Sequence, residues 1–243
     1  MENTTVRGWL SKRRDQASYA VAERVARAIH HEAILSDRAK AWLEDTAFRQ
    51  AYTKFEPSNF RRMDRVWTVA QLAGSVVALD IPGATAECGA YQGLTSFVIC
   101  QQTAGTRRAH HVFDSFEGLS APGAEDGDNW RRGDLSTPES LCRRNLAEFD
   151  FVHVHPGWIP QTFGDVAESR FCLVHIDVDL YQPTWDSLAY FYDKVTPGGV
   201  LICDDYGSTA CPGASQAMDE FFADRRESIL HLPTGQGIVW KSG

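Results

Sequence analysis

No two of the six cysteines are spaced as a CxxC pair, which removes the usual signature of a zinc ribbon or a dithiol redox centre. Cys88, Cys172 and Cys203 lie in or beside apolar strand-like runs, so buried free thiols are expected rather than disulfides. No uninterrupted apolar segment approaches the roughly 18 residues of a membrane helix. The opening residues MENTTVRGWLSKRRD also lack the apolar centre of a secretory signal. The expectation is a cytoplasmic chain with no membrane partner. Basic charge is not in surplus either: 24 Lys and Arg face 32 Asp and Glu, a formal net charge of -8. The first fifty residues are slightly basic, so the acidity belongs to the rest of the chain. Such a surface repels phosphate backbones, which argues against nucleic acid as a partner. The dinucleotide fingerprint GxGxxG is missing as well.

What is present is 243 residues, 43% hydrophobic and 23% charged, enough to bury a full core in one α/β domain with an appendage. The most informative stretch runs from Phe171 to Tyr206. Two apolar runs, 171–176 and 199–203, each break off in acid, Asp177 and Asp179 after the first and Asp204 and Asp205 after the second. Short apolar runs bounded by turn signals read as buried strands, and residues 184–194 have room for one crossover helix. In such a βαβ unit the strands are parallel and their C-terminal ends open on one edge, where open α/β sheets take their ligands. Four carboxylates then converge on one cleft. Carboxylates crowded in this way either raise their pKa values or gather around a cation, and an all-oxygen ligand set suits a hard ion such as Mg²⁺.

Residues 85–88 read as the first strand, followed by the glycine turn Gly89-Ala90-Tyr91-Gln92-Gly93 and a helix through Phe97 and Ile99. The glycines let the backbone turn tightly and approach a ligand, and the helix N-terminus offers free amides. A second strand, 109–113, ends at Asp114. That carboxylate stands where nucleoside-binding folds hold ribose hydroxyls, the plainer alternative being an acceptor for loop amides. Residues 116–136 are rich in Gly, Asp and Pro and form a long loop, either a lid that closes with Trp130 or a disordered segment. A helix over 138–149 and a strand over 151–155 lead to Trp158, placed either to stack on an adenine or to rim the core. A helix over 213–223 and two strand-like runs around Pro233-Thr234-Gly235 end the sheet in a hairpin.

Upstream, helical spacing over 15–29, 38–51 and 59–79 makes an N-terminal helical appendage. The expected division is an appendage at 1–82 and an α/β domain at 83–243. The appendage is read mainly as cover for the sheet, with a homo-oligomer contact as the alternative. The fold class is α/β: a doubly wound, mostly parallel, Rossmann-like sheet with a terminal antiparallel hairpin.

ECGAYQG at 87–93, DSFEGL at 114–119, HIDVDLYQPTWDSL at 175–188 and GGVLICDDYG at 198–207 followed by CPGASQAMDEF together resemble the macrocin O-methyltransferase family. The resemblance spans roughly residues 57 to 240 and includes Arg62-Met63-Asp64. It implies a class I methyltransferase that moves a methyl group from S-adenosylmethionine to a hydroxyl of a small molecule, a sugar of a secondary metabolite or glycoconjugate with a vicinal diol. It further implies Asp177, Asp204 and Asp205 as ligands of Mg²⁺ or another divalent cation, and Asp179 as general base. Glu87, Gly89, Tyr91, Asp114, Ser115, Trp158 and Arg62 become the cofactor contacts. Val178, where the family often has Gly, and Gln182-Pro183, in place of a more usual Glu-Ser, bear on the acceptor more than on the reaction. A nicotinamide-dependent oxidoreductase would share the glycine turn and Asp114, but the absence of GxGxxG and the surplus of strand-end carboxylates argue against it. An inactive nucleoside-binding scaffold is opposed by the intact acidic set.

Overall fold

The computed structural model describes residues 20–29, 45–55 and 63–243, together with residues 18 and 42. The chain divides into two compact units, Met1–Thr46 and Ala47–Gly243. Among the described residues of the first unit a helix covers 20–29, with Arg27 and Glu23 paired at 2.7 Å one turn apart. Of the expected helix over 38–51, the part described continuously is helical from Thr46 (α1, Thr46–Lys54). The expected helix over 59–79 is seen as α2, Met63–Ala78. Residues 56–62, Arg62 among them, lie outside the described residues.

The second unit is built on a seven-stranded sheet of order β3-β2-β1-β4-β5-β7-β6. Its strands are β1 (Ala84–Cys88), β2 (His110–Asp114), β3 (Val152–Pro156), β4 (Phe171–Ile176), β5 (Val195–Cys203), β6 (Leu230–His231) and β7 (Gly237–Trp240). The first five are parallel, and β7 pairs antiparallel with both β5 and β6, giving the expected doubly wound sheet with its terminal hairpin. Every residue of β4 is buried, as an apolar run at the centre of a parallel sheet requires. The strand order reverses between β1 and β4, and a crevice opens at such a switch point.

Helices cover both faces. On one, α5 (Tyr181–Phe191) and α6 (Pro212–Phe222) bring Leu188, Phe191, Met218 and Phe221 onto Val174, Ile176, Leu201 and Val239. On the other, Val69, Ala73 and Val76 of α2 and Ile99 of α3 (Leu94–Thr103) pack on Leu173, Val200, Ile202 and Ile238. Each such large side chain contributes about 1.5–3 kcal/mol when fully buried. Edge-to-face rings tie α1 into the unit, Phe48 against Trp67 at 5.0 Å and Phe55 against Phe97 at 5.3 Å. The remaining helix, α4, covers Glu139–Leu146.

Several boundaries differ from the sequence expectation, among them the end of α4, which stops at Leu146 rather than 149. The crossover helix α5 starts at Tyr181 rather than 184 and ends at Phe191. Pro183 is accommodated in its first turn, where a backbone N–H has no helical partner to lose. Strand β5 begins four residues earlier than expected, with an irregular register against β4 between Phe171 and Leu173. The loop over 116–136 contains a short 3-10 turn, Ala124–Asp126, and is pinned through Asp126. The Asp126 side chain is buried, accepting the Tyr181 N–H at 2.6 Å and the Gly123 N–H at 2.7 Å. All six cysteines are buried free thiols. No helix among the described residues is long and apolar enough to cross a membrane.

Candidate active site

Register decides what meets at the switch point. Cys88 aligns with Phe113 on one side and Ile176 on the other, and Ile176 aligns with Cys203. The next residue on each strand is therefore Asp114, Gly89, Asp177 or Asp204, in one row along the C-terminal edge. The ladder continues into that row, with the Asp177 N–H donating to the Cys88 carbonyl at 2.9 Å and the Asp204 N–H to the Ile176 carbonyl at 2.8 Å. Gly89, at φ 81°, is required there, since a Cβ would overlap the Asp177 carbonyl oxygen. The row floors a cavity of about 710 Å³ whose wall includes Phe55, Tyr91, Trp130, Trp158 and Cys211.

At the β1–β2 end, the Asp114 Oδ2 accepts the N–H groups of Ala90 and Tyr91, both at 2.8 Å, and its Oδ1 accepts the Phe116 N–H at 2.7 Å. Asp114 thus braces the glycine turn, in which Tyr91 takes φ 49°. Three of a carboxylate's roughly four acceptor positions are occupied in this way. The Ser115 hydroxyl donates to the Gly118 carbonyl at 2.9 Å and accepts the Glu117 N–H at 3.1 Å. Gly89, Tyr91, Asp114, Ser115 and Trp158 all border the cavity, as does Glu87. The Glu87 carboxylate is buried, and both of its oxygens are engaged, one by the Ser96 hydroxyl and one by His175.

At the β4–β5 end the four aspartates form two adjoining groups. Ligand-type atoms of His175, Asp177 and Asp204 lie within 4.8 Å of one another, as do those of Asp179, Asp205 and Cys211. Asp204 is the most heavily bonded of them. Its Oδ1 accepts the Gln236 side-chain amide at 2.7 Å and lies 3.3 Å from His175 Nε2, and its Oδ2 is paired with Arg65. Arg65 also reaches Asp205 Oδ1 at 3.3 Å. Asp205 Oδ2 accepts the N–H of Asp179 at 3.2 Å, and the Cys211 thiol donates to Asp179 Oδ1 at 3.5 Å. Asp179 sits in the left-handed region at φ 60°, which Asp and Asn tolerate better than most residues.

Electrostatics follows from this crowding. Burial, then the charges of Asp204 and Asp205, push the Asp177 carboxyl well above its usual range. Burial and Asp205 raise Asp179 to about 8, and burial with Asp204 raises Asp205. Burial acts on Asp204 in the same sense, but the His175 hydrogen bond and the Arg65 charge outweigh it and hold Asp204 low. Burial disfavours charge on His175, yet its bonds to Asp204 and Glu87 prevail and raise it to about 10. Among the described residues of the cluster, the positive groups are Arg65 and His175, against four aspartates and Glu87. Such a site is short of positive charge and rich in oxygen donors.

Arg65, His175, Gln236 and Cys211 were not singled out by sequence reasoning. His175 had a readable signal, since it lies two residues before Asp177 and so shares its side of the strand. Arg65 and Gln236 reach Asp204 from 139 and 32 residues away, and no local pattern marks them.

A doubly wound sheet with a glycine turn after β1, an acid at the end of β2 and carboxylates after β4 and β5 fits an S-adenosylmethionine-dependent O-methyltransferase. The family described as macrocin O-methyltransferase (TylF) matches residues 9–240, and the chain belongs to that family. Demethyldecarbamoylnovobiocin O-methyltransferase of Streptomyces niveus is 30% identical over 208 residues, 76% of this chain and 77% of the relative. The 8-demethyl-8-(2,3-dimethoxy-alpha-L-rhamnosyl)-tetracenomycin-C 4'-O-methyltransferase of Streptomyces olivaceus is 32% identical over 154 residues, 58% and 59% of the two chains. The solved structure of the O-methyltransferase NovP superposes with a TM-score of 0.63 at 27% identity, covering 74% of this chain and 81% of that one. The nicotinamide-dependent alternative is thereby set aside.

Proposed function

We propose that this O-methyltransferase is cation-dependent and methylates a sugar hydroxyl of a glycosylated secondary metabolite. The observation that carries the reading is the convergence of Asp177, Asp179, Asp204 and Asp205 on the strand edge beside the glycine turn, three of them with carboxyls pushed up by burial and then by one another's charge. A divalent cation would relieve that crowding, and the oxygen donors fit a hard ion. Asp177, Asp204 and Asp205 would hold it. When bound, such a cation supplies Lewis acidity that lowers the proton affinity of a hydroxyl beside it.

The rest of the work belongs to the chain. The glycine turn braced by Asp114, with Tyr91, Ser115 and Trp158 around the cavity, positions the nucleoside, and the acidic floor favours the positive sulfonium. Asp179 takes the acceptor's proton. Its Oδ1 is held by the Cys211 thiol, so Oδ2 is the atom that receives it. The walls then hold oxygen, methyl carbon and sulfur in line. A sugar acceptor is supported by the relative whose name specifies a rhamnosyl-tetracenomycin substrate and 4'-O-methylation.

The test is incubation of the full chain with S-adenosylmethionine, Mg²⁺ and a panel of rhamnosides and other deoxysugar glycosides, with products located by mass and NMR. A methyl ether on a sugar carbon is expected. Transfer only to phenols or to nitrogen would overturn the sugar assignment.

A further inference from the structure

We propose that His175, backed by Glu87, is a positioning residue that fixes the carboxylate of Asp204; the proposal rests on reading Asp204 as a cation ligand. The two residues are register partners on β4 and β1, so their side chains emerge together on the face covered by α2 and α3. Both are buried, with side-chain exposures of 1% and 2%. The ring reaches Glu87 Oε1 with Nδ1 at 3.1 Å and Asp204 Oδ1 with Nε2 at 3.3 Å.

Behind Glu87 the hydrogen bonds continue in one direction. Ser96 donates its single hydroxyl proton to Glu87 Oε2, so toward His110 Nε2, 2.9 Å away, it must accept. The proton on His110 is then on Nε2, and Nδ1 accepts from the Thr85 hydroxyl at 2.8 Å. The chain Thr85–His110–Ser96–Glu87 therefore ends on a carboxylate that only accepts, and His175 must donate to it. Its other nitrogen faces a second carboxylate oxygen and donates there too. Replacing a buried polar chain by apolar packing of the same volume is often neutral or stabilising, so stability alone does not account for it. Its product is geometric: Asp204 Oδ1 is gripped by a ring that cannot rotate, because the ring's far side is anchored. The adjacent Asp205 has no such support from the sheet.

The experiment uses calorimetric titration of Mg²⁺ into the full chain, with thermal melting and S-adenosylhomocysteine binding as checks of fold. His175→Gln keeps an amide donor near the Nε2 position, toward Asp204, whereas His175→Asn keeps one near Nδ1, toward Glu87. His175→Asn is expected to weaken the cation roughly 10–100-fold, as loss of a ligand-orienting partner does, and His175→Gln to stay within about threefold of wild type. Equal losses in the two variants, or none in His175→Asn, overturn the proposal. A wild-type protein that binds no Mg²⁺ overturns the reading of Asp204 as a ligand and this proposal with it, an outcome distinct from the first. Should the His175 variants fail to fold, Glu87→Gln preserves an acceptor for His175 while removing the anchoring charge. It is expected to weaken Mg²⁺ by several-fold, and unchanged affinity there also overturns the proposal.

Discussion

Asp179 is held differently from the acids around it. Its backbone is left-handed, its N–H is taken by Asp205, and Cys211 occupies one carboxylate oxygen. Asn is nearly isosteric, accepts the same thiol and tolerates the same backbone region. Asp179→Asn is therefore expected to keep its fold, cofactor affinity and cation affinity while kcat falls roughly 10²–10⁴-fold, the usual worth of a positioned base. Steady-state kinetics paired with calorimetry check this, and a near-normal kcat would remove Asp179 from the proton transfer. The four aspartates were legible because an acid closing a buried strand has little structural reason to be there. Asp114 was legible as a strand-end acid, and acceptance of loop amides was its plainer alternative, but the particular partners Ala90, Tyr91 and Phe116 were not, since hydrogen-bond partners across a turn leave no periodic trace. Arg65 and Gln236 were invisible because their roles depend on contacts made only after the sheet has formed.

At the scale of elements, α5 and the loop 116–136 depend on each other. Asp126 caps the helix from 55 residues upstream and is itself closely enclosed, since a Cβ added at Gly213 would overlap its carboxylate. The sequence began the helix after Pro183 because the capping acceptor is not local, and the same gap left the loop's state open between lid and disorder. Asp126→Ala strips acceptors from the Tyr181 and Gly123 N–H groups and is expected to cost about 1–3 kcal/mol. On that basis the melting temperature should drop by several degrees, and proteolysis within 116–136 should accelerate. Unchanged melting and unchanged cleavage would show that the loop is held by something else.

For the whole molecule, topology was the most legible level. A run of strands ending in acid, separated by helix-length segments, admits few arrangements once parallel crossovers are right-handed, and the closing hairpin was marked by Pro233-Thr234-Gly235. Acid stability is a property of the assembled sheet that no motif announced. His110 and His111 face opposite sides of β2, and both are held neutral. Burial, with His111 and His175 nearby, lowers His110 to about 3, and burial, with His155 and His153, lowers His111 to about 4. Below about 6.5 the unfolded chain takes up these protons and the fold does not, so their contribution to stability is full near neutral pH and is lost as pH falls toward 4. The raised carboxyls of the cleft act in the opposite sense, so the informative quantity is the difference between two proteins. His111→Phe keeps the aromatic stacking and is expected to lose about 1 kcal/mol less than wild type between pH 7 and pH 5, after discounting for partial exposure. Parallel melting curves across that range would contradict it.

That the ends of β4 and β5 form one cation-dependent methyl-transfer site is a proposal about the assembled sheet. It is tested most directly by the rate of methyl transfer from labelled S-adenosylmethionine after exhaustive chelation and again after Mg²⁺ is restored. This is measured for the wild type and for the double variant Asp204→Asn, Asp205→Asn. The wild-type rate should vanish on chelation and return with Mg²⁺, and the double variant should not recover. A full rate in excess chelator, or a wild-type response from the double variant, would contradict the account.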